Sequence, residues 1–197
     1  MDFAISLPDW ALDEQRRLPA CLPTVEARMR EVIRFSRLNF ERGTGGPFAA
    51  GVFERDSGKL VVMGVNRVVA SHCSSAHAEV MALSLAQRLL GTHDLGEPDR
   101  PAYQLVVNWR PCAMCYGATL WSGVQSLVVA GSGPELEAIT GFDEGPIHPQ
   151  WDRELERRGL TVTDGVLREE ALAVFRDFAA SGALVYNAGG GGRSPLV

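Results

Sequence analysis

Apolar residues recur at helical spacing between Val25 and Phe40, where Val25, Met29, Val32, Ile33 and Phe40 form one stripe. Thr24, with Pro23 before it, offers an N-cap, so the pattern predicts a helix to about Glu41. The turn Gly43-Thr44-Gly45-Gly46-Pro47 ends it. Phe48–Glu54 and Leu60–Val65 then read as strands, joined by the hairpin loop Arg55-Asp56-Ser57-Gly58-Lys59. Helical spacing returns over Ala76–Leu90, with Val80, Leu83, Leu85 and Leu89 along it. Tyr103–Val107 and Ser126–Ala130 are short apolar strand runs on either side of a small-residue helix, Cys112–Ser122. Residues 131–149 are rich in Gly and Pro and read as loop. Trp151–Arg158 reads as a helix, Leu160–Val162 as a strand and Glu169–Ala180 as a closing helix.

A hairpin followed by alternating helices and strands predicts a three-layer α/β/α domain around a central mixed sheet of about five strands. Residues 1–22, punctuated by Pro8 and Pro19, read as an irregular arm. The organisation expected is an arm at 1–23, one domain at 24–187 and a Gly-rich flexible tail at 188–197.

Composition narrows the class. The 197 residues carry 19 Lys and Arg against 24 Asp and Glu, a formal charge of −5, and 46% are apolar. That balance excludes a disordered or fibrous chain. The densest basic stretch, Arg28 to Arg42, is interleaved with Glu26, Glu31 and Glu41 and reads as a solvated helix face. Nucleic acid is therefore disfavoured as a partner, because polyanion binding needs a clustered positive excess. No apolar run reaches the roughly 18 residues of a membrane span. Met1–Trp10 carries Asp2 and Asp9 and lacks a secretory profile. Four cysteines, two of them in a C-x-x-C pair, do not make a disulfide scaffold. A cytoplasmic enzyme is expected.

Two motifs carry chemistry. His77-Ala78-Glu79 opens one predicted helix, and Pro111-Cys112-Ala113-Met114-Cys115 opens another. Each alone is weak, but H-x-E followed by P-C-x-x-C is the zinc-deaminase signature. His77, Cys112 and Cys115 supply three N and S ligands for a tetrahedral ion and leave a fourth position for water. Helix N-termini favour thiolate over thiol. Zinc lowers the pKa of its water from about 15.7 towards 7. Glu79 is the natural proton shuttle, from that water to a ring nitrogen and then to departing ammonia. His72 and Cys73 precede the motif, but its three ligands are already supplied, and they read as a loop pair.

These segments resemble the cytidine deaminase superfamily and, within it, bacterial guanine deaminases. The likeness runs from about Gly45 to Tyr186 through Gly45-Gly46-Pro47-Phe48, Gly64-Val65-Asn66-Arg67-Val68, the two motifs and Gly141-Phe142-Asp143-Glu144. The resemblance implies a zinc-dependent hydrolase that converts guanine to xanthine and ammonia. It implies that Asn66 hydrogen-bonds the base, that Phe48 and Trp121 are pocket aromatics, and that Glu144 is a second carboxylate on the amine side of the base. It also implies a homodimer whose C-terminal segment, around Leu184-Val185-Tyr186, reaches the neighbour's active site.

One position departs from the family, which commonly has Glu-Pro-Cys where this chain has Arg110-Pro111-Cys112. An arginine there is expected to tune substrate choice, through the ring or by pairing with Glu144 or Glu79. Rival readings are a deaminase of another amino-heterocycle (a triazine such as ammeline, a cytosine-type base or a nucleoside), a tRNA adenosine deaminase, or a non-catalytic zinc-stabilised module.

Overall fold

Every backbone group of a central strand needs a partner on both sides, and β1 (Ala49–Glu54) has them: β2 (Leu60–Val65) on one side and β3 (Tyr103–Val107) on the other, both antiparallel. β4 (Ser126–Val129) and β5 (Thr161–Thr163) continue the sheet in parallel, giving the order β2-β1-β3-β4-β5. The computed structural model describes residues 4–187. The expected Gly-rich tail at 188–197 lies outside the described residues.

Both faces of the sheet are covered, and every residue of β3 and β4 is buried, the polar Gln104 and Ser126 included. On one face Phe53, Val106 and Val128 pack with Met29 and Phe35 of α2 (Val25–Glu41) and Phe175 and Phe178 of α8 (Arg168–Ala180). On the other, Val52, Leu105 and Leu127 pack with Ala82 and Ala86 of α4 (Ala78–Leu90) and Leu155 of α7 (Trp151–Glu156). The three-layer mixed sheet is as the alternating pattern predicts. Thr24 caps α2 as expected, its hydroxyl accepting from the Ala27 amide at 3.1 Å.

Three short helices were not legible in the pattern. α1 (Asp9–Arg17) occupies what reads as an irregular arm. It covers the edge strand, for the Gln15 side-chain oxygen accepts from the Met63 amide at 2.7 Å. Its apolar stripe is little more than Trp10 and buried Ala11, too brief to register as a period. α3 (Val68–Ser71) and α6 (Glu135–Thr140) interrupt segments rich in turn residues. α5 (Ala113–Ser122) bridges the parallel pair β3 and β4. No helix among the described residues is long and apolar enough to cross a membrane.

One close approach sets the position of α4. A Cβ on Gly64 of β2 would stand 2.5 Å from both the Ala78 carbonyl oxygen and the Ala82 amide nitrogen. Glycine lets the helix start lie directly against the strand.

Candidate active site

His77 and Cys112 are the N-cap residues of α4 and α5, both with extended backbone, and Cys115 lies in the first turn of α5. The backbone at each cap is ordinary: the Met81 amide donates to His77 O and the Tyr116 amide to Cys112 O. The two helix starts face one another, so the donor atoms of His77, Cys112 and Cys115 all lie within 4.8 Å of one another. Three donors at about 2.0–2.3 Å from one tetrahedral zinc would be about 3.4–3.8 Å apart, so the cluster is compatible with the ion after a small contraction. Cys112 Sγ is already 3.5 Å from His77 Nδ1.

Charge is tightly organised around the cluster. In the metal-free site the Cys115 thiol hydrogen-bonds Cys112, drawing the Cys112 pKa down to about 4. The same bond, with burial, pushes Cys115 well up. Glu79, 6% exposed in the first turn of α4, is raised to about 7 by burial and then by the Cys112 charge. Glu144 is raised to about 8 by burial, with Cys112 and Glu79 adding to it. Two carboxyls with pKa values near neutrality beside three metal-type donors form an arrangement suited to moving protons.

A cavity of about 410 Å³ opens beside the cluster, lined by His77, Glu79, Cys112, Phe48, Arg110 and Glu144 among others. That is the size class of small-molecule sites. Phe48 packs edge-on against Phe142 at 5.0 Å between ring centroids. Asn66 is 1% exposed and held on three sides: its side-chain oxygen accepts from the Gly46 and Val68 amides, and its backbone carbonyl accepts from Asn39 Nδ2. Its own Nδ2 is buried and has no hydrogen-bond partner among the described residues. The Tyr186 hydroxyl is in the same condition. The Gly45-Gly46 pair permits this geometry. A Cβ at Gly45 would lie 2.0 Å from Asn66 O, and one at Gly46 would lie 2.9 Å from the Tyr186 hydroxyl.

Of the residues expected at the site, His77, Glu79, Cys112, Cys115, Phe48, Glu144 and Arg110 converge, with Asn66 against the Gly45-Gly46 turn. Trp121 does not: it is 87% exposed. The buried stripe of α5 is Cys115, Thr119 and Ser122, and Trp121 falls off it. Trp121 lies on the side of Met114, which lines the cavity, but two turns further along α5, a rise of about 10 Å. Arg110 forms no ion pair with Glu144 or Glu79. It is half-buried, its amide donates to Gly131 O, and its Nε has no partner among the described residues. The C-terminal segment lies over the cavity of its own chain, with the Tyr186 ring 4.9 Å from Phe142.

Sequence reasoning passed over Asn108 and Asn187, and named Tyr186 only in the segment expected to reach a neighbour's active site. Asn108 is fully buried and ties the end of β3 to the Gly-Gly-Pro-Phe run: its oxygen accepts from the Ala49 amide and its Nδ2 donates to Pro47 O. A buried amide following an apolar strand is the signal that would have found it.

The comparisons with known proteins agree with this geometry. The family model for the cytidine and deoxycytidylate deaminase zinc-binding region matches residues 24–131. A guanine deaminase of Bacillus subtilis is 30% identical over 156 residues, covering 78% of this chain and 95% of that protein. A solved guanine deaminase structure from Nitrosomonas europaea is 50% identical, covers 91% of this chain and 97% of its own, and superposes with a TM-score of 0.86. A second solved structure, in complex with 2,6-diaminopurine, shares 50% identity over 94% of this chain at the same TM-score. This chain is a zinc-dependent hydrolytic deaminase and belongs to the cytidine and deoxycytidylate deaminase family.

Proposed function

We propose that this deaminase acts on free guanine, adding the oxygen of water to C2 and releasing the 2-amino group as ammonia, to leave xanthine. The observation that carries the reading is the set of unsatisfied donors at the site. Asn66 Nδ2 and the Tyr186 hydroxyl are buried without partners among the described residues. A purine carrying carbonyl and ring-nitrogen acceptors would satisfy them. The likeness to the Bacillus subtilis and Nitrosomonas europaea guanine deaminases supports the same substrate.

His77, Cys112 and Cys115 hold the zinc in this reading, and the ion supplies an acidified water near neutral pH. Glu79, with a pKa of about 7, takes a proton and returns it, first to a ring nitrogen and then to the departing amine. Glu144 faces the amine side, where a carboxyl raised to about 8 is protonated at neutral pH and can donate. Phe48 and Tyr186 pack the base and exclude water. We place the protein in the cytoplasm as a homodimer. The exposed face of α5 bearing Met114 and Trp121 is the surface that a second copy would cover.

Ammonia release from guanine, ammeline, cytosine and adenine tests the substrate assignment. Guanine should give the highest kcat/KM, and a higher value for any of the other three would overturn it.

A further inference from the structure

The loop that carries Glu144 has no regular ladder to hold it. It runs from Gly141 to Gly145, both with positive φ (78° and 69°), between α6 and α7. Four successive amides in it are satisfied by side chains. The Phe142 amide donates to Thr140 Oγ1, the Asp143 amide to Asn187 Oδ1, the Glu144 amide to Glu137 Oε1 and the Gly145 amide to Asp143 Oδ1. Three of these partners are local; Asn187 comes from 44 residues away.

The Asn187 amide works in both directions, since its Nδ2 also donates to Gly141 O at 2.9 Å. One side chain thus pairs with the loop backbone as a neighbouring strand would. Its sequence neighbour Tyr186 sits in the cavity, its ring against Phe142 of the same loop. The rest of the segment is lightly held: residues 181–184 are exposed, Leu184 to 66%. Two adjacent residues of a thinly packed segment therefore do two linked things, one entering the cavity and one fixing the loop opposite.

We propose that Asn187 is a positioning residue for the reaction: its amide, paired with Gly141 and Asp143, sets the loop that carries Glu144 when the C-terminal segment brings Tyr186 over the base. The proposal rests on the reading of Glu144 as the amine-side carboxyl. The Ala113 amide, donating to Glu144 O, and Glu137 hold the Glu144 backbone itself, while Asn187 fixes the start of the loop at Gly141 and Asp143. Asn suits the role because donor and acceptor are both needed; aspartate at this position keeps only the acceptor.

The test uses the zinc-loaded protein and two variants, Asn187→Ala and Asn187→Asp. Hydrogen exchange of the Asp143 amide should quicken about two- to tenfold in Asn187→Ala, as for the loss of one backbone hydrogen bond. With guanine, kcat should fall about ten- to a hundredfold, the range for a displaced catalytic group, with KM changing less. Asn187→Asp should lose kcat while keeping slower Asp143 exchange than Asn187→Ala. Tyr186→Phe serves as control and should alter KM without changing Asp143 exchange. Unchanged exchange at Asp143 in Asn187→Ala overturns the proposal, as does quickened exchange with unchanged kcat. If wild-type protein releases no ammonia from guanine, the substrate assignment fails, and the exchange data still decide whether Asn187 holds the loop.

Discussion

Cys112 Sγ stands 3.5 Å from His77 Nδ1, although the two residues are 35 apart in the chain. Each is an N-cap, so the contact is a meeting of two helix starts, and the cluster exists only if α4 and α5 are both seated. Ligand binding and packing are thereby coupled.

Cys112→Ala removes one donor and the low-pKa thiolate of the pair. The purified variant should contain well under one zinc per chain by elemental analysis and should melt below wild type. Full zinc stoichiometry would show that the ligand set is different.

Gly64→Ala places a methyl 2.5 Å from two backbone atoms of α4, neither of which can turn aside as a side-chain end can. Overpacking of this kind costs about 1–3 kcal/mol. For a chain of this size that is about 2–4 °C in melting temperature for each kcal/mol. Thermal unfolding should show the drop, and zinc retention should weaken with it because α4 carries His77.

The buried acid Glu144 gives a signed pH prediction. Its folded pKa is about 8 against an ordinary 4.5, so the folded chain keeps a proton that the unfolded chain has lost over that interval. The group's contribution to stability therefore falls as pH rises from about 4.5 to about 8. In metal-free protein, Glu144→Gln should gain in urea midpoint relative to wild type across this window. A relative loss would mean that the carboxylate is stabilised in the folded state.

Arg110 lines the cavity while pairing with neither carboxyl, and we propose that it tunes substrate choice. Arg110→Glu should change the ranking of kcat/KM among guanine, ammeline, cytosine and adenine, with zinc content unchanged. If all four values move by one common factor, the residue has no part in selection.

The cluster was legible because its chemistry is local: a cap and a first turn fix His77 and Glu79, and another fixes Cys112 and Cys115. The layers were legible because β3 and β4 are apolar on both faces. Tyr186 and Asn187 were not read as site residues of this chain, because nothing in their own segment signals a partner 44 residues earlier. Trp121 was placed at the pocket by the family resemblance, but on α5 it falls off the buried stripe of Cys115, Thr119 and Ser122. α1 escaped notice because its hold on β2 comes from a glutamine, which no hydrophobic period reports.

The most direct test of the account is Glu79→Gln in the zinc-loaded protein, assayed for ammonia release from guanine beside its metal content. Glutamine keeps the shape of the buried side chain but cannot take and return a proton. Zinc should stay at one per chain and the fold should remain intact, while kcat falls by about 10²–10⁴-fold or more. Turnover within a factor of about three of wild type, set against that range, would contradict the assignment of Glu79 as the proton shuttle.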